Sequence, residues 1–162
     1  MLAVDGVGLD HIYVTVSDLE RAEGFYDAVM RILGFRKGDK PIAGEPHVHY
    51  FNPCFQLTLR PARRDVPHDP YAPGLHHICL QLKTPADVDS AAEALLARGV
   101  SVTPPRLYPE YHPDYYASFF EDPDGIRLEL VCRTPYRDAL ASHWDEFTVF
   151  VNPLAELRSR KR

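Results

Sequence analysis

The chain is poor in cysteine, has no long apolar run and carries no large basic patch. Its three cysteines, Cys54, Cys79 and Cys132, are odd in number and widely spaced among 162 residues. Two of them fall inside strand-like patterns, which indicates small core residues rather than a disulfide framework or a thiolate metal site. A cytoplasmic location is therefore the default expectation.

The missing apolar run and the charge balance bear on the partners of the protein. No apolar stretch approaches the length of a membrane span, and the N-terminus lacks the basic and apolar regions of a signal peptide. The formal net charge is −5, the pI is about 5.9, and the only basic run is the short tail at residues 158–162. We therefore expect neither a membrane nor a nucleic-acid partner.

The chain does contain a long internal repeat. Each copy begins with a histidine at the start of an alternating strand pattern, continues with a helix and ends that helix at a glycine. The histidines are His11 and His77, 66 residues apart, and the glycines are Gly34 and Gly99, 65 residues apart. A repeat of this length, with a metal-ligating side chain at matching places, points to two modules that share a site.

Helix signals follow both histidine strands. In the first helix the apolar residues recur on one helical face, Ser17 is the expected N-cap, and Glu20 would complete a capping box. In the second helix Thr84 is the expected N-cap and Pro85 occupies the first helical position. Each helix is expected to cover one face of a sheet.

Four segments alternate between aliphatic and polar residues with the period of two that is typical of strands. In each of them a potential ligand lies on the face opposite to the aliphatic residues. These ligands are His11, Gln56, His77 and Glu129. If the aliphatic faces pack on the helices, all four side chains lie on a polar concave surface. His76 shares the aliphatic side of its strand, so the alternation favours His77 over His76.

Two further segments stand outside the repeat. Residues 104–116 contain four prolines and several tyrosines, which indicates an ordered loop bordering a pocket. His112 in this loop is a candidate acid or base, although it has the alternative of a surface hydrogen bond. Residues 134–162 contain Trp144, Phe147 and Phe150 and are expected to pack on the body or on a second subunit. For His47 and His49 we expect ordinary surface or core roles.

Three stretches of this sequence resemble the vicinal oxygen chelate superfamily, which includes glyoxalase I, extradiol dioxygenases, fosfomycin-resistance transferases and bleomycin-resistance proteins. They lie within residues 9–35, 74–78 and 119–130, and the last contains an Asp-Pro-Asp-Gly turn. The resemblance covers residues 8–133, with module one at 8–61 and module two at 74–133, and leaves 134–162 as an appendage. It implies an α+β fold of two βαβββ modules, with a cup-shaped mixed sheet around a metal site and helices on the outer faces.

The resemblance also implies roles for individual residues. His11, Gln56, His77 and Glu129 match the metal ligands of the family, and the cofactor would be one divalent first-row ion per site (Zn, Ni, Co, Mn or Fe). Imidazole and carboxylate ligands suit such an ion and leave positions open for substrate. Glu129 and His112 are the expected catalytic residues. The implied partners are a small-molecule substrate and a second copy of the chain in a homodimer.

Several functions are compatible with this set. The favoured hypothesis is a metal-dependent isomerase or lyase of the glyoxalase type, acting on a small substrate that chelates the metal through vicinal oxygens. The main alternative is an extradiol-type Fe(II) dioxygenase, although Phe120 stands where those enzymes have a tyrosine. Fosfomycin transfer is disfavoured because Ala117 and Phe119 replace a serine and a tyrosine. A non-catalytic binding protein of the bleomycin-resistance type would need no metal ligands, and the retained ligand set argues against it.

Overall fold

The computed structural model describes residues 6–64, 66–148 and 150–159. Module one contains β1 (His11–Val16), α1 (Leu19–Ile32), β2 (Arg36–Gly38), β3 (Val48–Phe51) and β4 (Gln56–Pro61). Module two contains β5 (His77–Leu82), α2 (Pro85–Leu96), β6 (Arg106–Leu107), β7 (Tyr116–Glu121) and β8 (Arg127–Cys132). Helix α3 (Thr134–Ser142), a 3-10 turn (Trp144–Glu146) and α4 (Pro153–Ser159) follow.

Each module forms its own mixed sheet of four strands, ordered β1-β4-β3-β2 in the first and β5-β8-β7-β6 in the second. The histidine strand pairs in parallel with the last strand of its module, and the other pairs are antiparallel. The helix between the first two strands of each module provides the crossover connection that parallel pairing requires. The predicted α+β fold with two βαβββ modules is confirmed.

The helix ends show where the local sequence decided the structure and where it did not. Thr84 caps α2 as predicted, accepting a hydrogen bond from the Asp87 backbone at 3.1 Å in a capping box. The predicted cap of α1 is wrong, since Asp18 rather than Ser17 accepts from the Arg21 backbone at 3.0 Å. Ser17 is instead engaged by the turn before β8, a contact between modules that local sequence patterns do not reveal.

One hydrophobic core joins the two modules. It contains the aliphatic sides of both sheets and the inner faces of α1 and α2, and the two helices contact each other. Four leucines at its centre are fully buried, and burying a leucine contributes roughly 1.5–3 kcal/mol. They are Leu57, Leu59, Leu128 and Leu130. The opposite, polar side of each sheet therefore points away from the shared core. We call the polar side of the first sheet, which contains His11, Gln56 and Thr58, site face one. The polar side of the second sheet, which contains His77 and Glu129, is site face two.

A hydrogen-bonded clamp adds to this core at the module boundary. Asp124, in the turn between β7 and β8, accepts from the Ser17 backbone at 2.7 Å, from the Ser17 hydroxyl and from Arg21 Nη2 at 2.7 Å. Beside it, the buried Tyr26 hydroxyl donates to Asp122 at 3.1 Å. Burial raises the pKa of the Asp122 carboxyl, while hydrogen bonds from the Ile126 and Asp124 backbones oppose the rise. The Asp-Pro-Asp-Gly turn thus anchors module two to the start of α1.

The appendage adds little to the core. None of the residues of α3 or α4 is buried, and Trp144 is 64% exposed. Its ring lies 6.4 Å from that of Phe147, measured between centroids. Within the described part of the chain, no helix combines the length and the apolar character needed to cross a membrane.

Candidate metal centre

Site face two is built around a buried carboxylate. The register pairs Cys79 with Glu129, so Glu129 on β8 lies next to the strand that begins at His77. Glu129 is 2% exposed, and its Oε2 lies 3.5 Å from Nε2 of His77, whose side chain is 41% exposed. The alternation of β5 and β8 thus brings an imidazole and a carboxylate together at the surface of the sheet, as the sequence predicted for this pair.

The other oxygen of Glu129 is held by Tyr115. The Tyr115 hydroxyl donates to Glu129 Oε1 at 2.6 Å. Burial, and then this hydrogen bond, raise the pKa of Tyr115 far above its usual range, so the hydroxyl remains a donor. Cys79 lies against the same carboxylate and, contrary to the expected core role, is exposed in the isolated chain. Desolvation of its thiol by the surrounding protein, together with the charge of Glu129, raises the pKa of the thiol to about 12. Glu129 Oε2 is therefore the oxygen that faces His77.

His11 begins site face one and resembles His77 in its hydrogen bonding. The Nδ1 atom of His11 lies 2.7 Å from Asp10 Oδ2, and the Nδ1 atom of His77 lies 2.7 Å from Nδ1 of His76. In both residues these contacts occupy Nδ1 and leave Nε2 for another ligand. A carboxylate on the far nitrogen is a common way to orient a metal-binding imidazole.

The strand register gives Gln56 a place in the first sheet that differs from the place of Glu129 in the second. His11 pairs with Gln56, whereas His77 pairs with Arg127, so Thr58 occupies in sheet one the position that Glu129 occupies in sheet two. Gln56 Nε2 donates to Thr58 Oγ1 at 2.6 Å and lies 3.2 Å from His49 Nδ1. Only its Oε1 faces away from these contacts.

Site face one also contains two histidines for which ordinary roles were expected. His47 and His49 are both buried, and their rings stack with 6.0 Å between centroids. The ring of Tyr13 lies 6.0 Å from that of His47, and His49 Nδ1 lies 3.0 Å from Thr58 Oγ1. Their alternation on a strand was visible in the sequence, but the register that pairs His49 with Thr58 was not.

An arginine borders site face two. The guanidinium of Arg133 lies 5.1 Å from the ring centre of Tyr115 and 4.5 Å from that of Tyr136. Its positive charge works against the rise in the pKa of both Tyr115 and Cys79. Among the described residues it has no ion-pair partner, and its buried Nε has no hydrogen-bond acceptor. Arg133 follows the last strand, where the alternation ends, so no pattern in the sequence indicates a role for it.

The loop of residues 104–116 follows the edge of site face two. His112 accepts a hydrogen bond from the Asp114 backbone at 3.3 Å, and its ring lies 5.2 Å from that of Tyr136. Tyr115, three residues further on, is the residue of this loop that contacts Glu129. The sequence had indicated a pocket border here, but it did not distinguish Tyr115 from the neighbouring tyrosines.

One chain does not bring the predicted ligands together. Across residues 6–64, 66–148 and 150–159, no three His, Cys, Asp or Glu side chains lie close enough to hold a metal ion. His11 is 53% exposed and lies in the first sheet, whereas the pair of His77 and Glu129 lies in the second. Among the described residues, His11 and the pair of His77 and Glu129 therefore remain in separate sheets.

The sequence also matches a described family. Residues 8–130 match the sequence model of the Glyoxalase/Bleomycin resistance protein/Dioxygenase superfamily. The chain belongs to this superfamily. Among curated relatives, the uncharacterised protein YqjT of Bacillus subtilis is 31% identical over 131 residues, which cover 76% of this chain and 97% of YqjT. The uncharacterised protein YaeR of Escherichia coli is 29% identical over 133 residues, covering 74% and 92%.

Solved structures of the superfamily share the fold. A glyoxylase/bleomycin resistance protein/dioxygenase domain from Frankia sp. EAN1pec superposes with a TM-score of 0.65 at 23% identity, covering 80% of this chain and 98% of that one. Lactoylglutathione lyase from Agrobacterium tumefaciens superposes with a TM-score of 0.60 at 21% identity, covering 81% and 97%. The superfamily fold therefore accounts for nearly all of these relatives and leaves the C-terminal appendage outside the match.

Proposed function

We propose that the protein is a metal-dependent, glyoxalase-like lyase or isomerase. Its substrate would be a small molecule that chelates the metal through vicinal oxygens. The observation that carries the proposal is the pair of His77 and the buried Glu129 on site face two, together with the matching His11 on site face one. The shared fold with lactoylglutathione lyase supports the same reaction class.

The donor set fits a divalent first-row ion. His11, His77 and Glu129 supply two imidazole nitrogens and one carboxylate, the combination that such ions accept while keeping positions for substrate. We propose Gln56 Oε1 as the fourth donor, because contacts to Thr58 and His49 engage its amide nitrogen. When bound, the ion would act as a Lewis acid on the oxygens of the substrate.

The residues of the chain would carry the proton transfer. Tyr115 holds one oxygen of Glu129, so Oε2 is the atom positioned to take a proton from the substrate and return it. The phenol keeps the carboxylate in one orientation, and the buried setting excludes bulk water from it. We propose His112 at the edge of the same face as a second acid or base.

We further propose that the site is completed in a homodimer. Site face one of one protomer would meet site face two of its partner, because the described residues of a single chain do not gather three ligand side chains at one place. Residues such as Tyr13 and Trp144 are exposed in the isolated chain and would gain a covering surface on assembly. Light scattering should then give about twice the chain mass of 18.4 kDa, whereas the mass of a single chain would contradict a shared site.

Metal binding and activity test the proposal directly. The wild-type protein should bind about one divalent ion per site, and Glu129→Gln should weaken that binding at least about a hundredfold because it removes the only charged ligand. Glu121→Gln is the matched control, since Glu121 is an exposed strand carboxylate that pairs with Arg127 at 3.7 Å. The loaded enzyme should convert a methylglyoxal hemithioacetal. Cleavage of a catechol by the Fe(II) form would instead favour the dioxygenase alternative, and unchanged metal affinity in Glu129→Gln would refute the site.

A further inference from the structure

Arg133 is a charged residue that the proposed function does not use. It follows directly on β8 and lies between the rings of Tyr115 and Tyr136, both of which contact the guanidinium. Tyr115 in turn donates to Glu129. The Tyr115 side chain thus contacts both the guanidinium of Arg133 and the proposed catalytic carboxylate of Glu129. The rings of Tyr115 and Tyr136 hold the guanidinium between them.

Two other arginines of module two already have carboxylate partners. Arg127 pairs with Glu121 at 3.7 Å, and Arg106 pairs with Glu110 at 3.6 Å while stacking on Tyr108. Arg133 has no such carboxylate among the described residues, and its Nε is buried without an acceptor. Buried N–H donors are almost always satisfied in folded proteins, by the protein, by water or by a ligand.

The charge of the proposed site also favours a negatively charged ligand. A divalent ion held by one carboxylate keeps a net positive charge, and Arg133 adds another on the same wall. The two Nη atoms of a guanidinium match the two oxygens of a carboxylate in parallel hydrogen bonds. A neutral substrate would leave the excess positive charge without a counter-charge.

We propose that Arg133 binds a carboxylate of the substrate, so that the natural substrate is a small organic acid whose vicinal oxygens reach the metal. This inference rests on the proposed function, because it places Arg133 beside the substrate of that site. Arg133 is a substrate-binding residue in this account and sets the preference for acids over neutral analogues.

The test uses two probes that differ only in charge. 3,4-Dihydroxybenzoate and 3,4-dihydroxybenzamide carry the same vicinal hydroxyls, and their affinities for the zinc-loaded wild-type protein are measured by calorimetry. The acid should bind at least about tenfold more tightly, as expected for a charge-assisted hydrogen-bonded pair. Arg133→Met should bring the two affinities close together, and Arg133→Lys should keep part of the preference. The matched control is Arg98→Met, an exposed arginine just after α2 that donates to the Ala94 carbonyl, which should leave the ratio unchanged.

Failure of this inference is distinguishable from failure of the proposed function. If zinc binds through Glu129 but wild-type protein does not distinguish acid from amide, or Arg133→Met keeps the preference, the role of Arg133 is refuted while the metal site stands. If no zinc binds, NMR of the metal-free protein still tests whether Arg133 binds the acid. The arginine Nε–Hε resonance that is lost in Arg133→Lys should shift saturably with the acid and not with the amide. Absence of such a shift at about 20 mM acid would overturn the inference.

Discussion

Removing the Asp124 carboxylate should destabilise the protein more than an ordinary surface substitution would. Its side chain is only 14% exposed, and it joins the turn before β8 to the start of α1. Two of its hydrogen bonds come from Ser17 and one comes from Arg21, whose side chain is 53% exposed. The arginine contact contributes at most about 1 kcal/mol because solvent screens it. Each Ser17 bond to the carboxylate contributes about 1–1.5 kcal/mol.

Asp124→Ala should therefore lower the free energy of unfolding by about 2–4 kcal/mol, which is a fall in Tm of roughly 5–10 °C for a chain of this size. Urea and thermal unfolding measure both quantities. Ser17→Ala removes the contacts of the hydroxyl with Asp124 and Arg21 but keeps the backbone hydrogen bond, and it should cost about 1 kcal/mol. A loss below about 0.5 kcal/mol in Asp124→Ala would refute the reasoning, since it would mean that the apolar core alone sets the arrangement of the modules.

Two further predictions concern other parts of the chain. Burial opposes ionisation of Asp27, but hydrogen bonds from Lys37 and Tyr50 outweigh it and hold the pKa of Asp27 below its ordinary value. The stability from this ion pair is thus present above the unfolded-state pKa and lost as the pH falls through the folded-state pKa. Asp27→Asn should cost about 1 kcal/mol at pH 7 and almost nothing at about pH 2 in urea titrations; an equal cost at both pH values would contradict this sign. His112→Ala should lower turnover about tenfold or more while metal content stays intact, whereas His77→Ala should lose both; unchanged turnover would assign His112 to the surface loop alone.

The period of two in the strands predicted correctly which residues face the core. Val14 and Val16 on β1 and Leu128 and Leu130 on β8 are buried as their alternation requires. The same parity placed Glu129 on the opposite, polar side, where it meets His77. These features depend on local geometry, which a single sequence contains.

The parts that the sequence did not determine all depend on contacts between distant segments. The strand alternation placed Gln56 on the polar side of its sheet. It did not reveal that the pairing register of the strands makes Thr58, not Gln56, the counterpart of Glu129. Ser17 has the chemistry of an N-cap, yet Asp124, 107 residues away, engages its backbone and hydroxyl. Likewise, nothing in the local pattern around Arg133 shows that two tyrosines hold its guanidinium near Glu129.

In the proposed dimer, His11 of one protomer and His77 and Glu129 of its partner hold one metal ion. Heterodimers of a His11→Ala chain and a Glu129→Gln chain, purified through two different tags, test it most directly. One of their two sites combines both defects, and the other combines the intact His11 with the intact His77 and Glu129. Metal analysis should therefore find about one ion per heterodimer and almost none in either mutant homodimer. If the heterodimers hold as little metal as the two mutant homodimers, while the wild type measured beside them is loaded, the site is not shared between protomers.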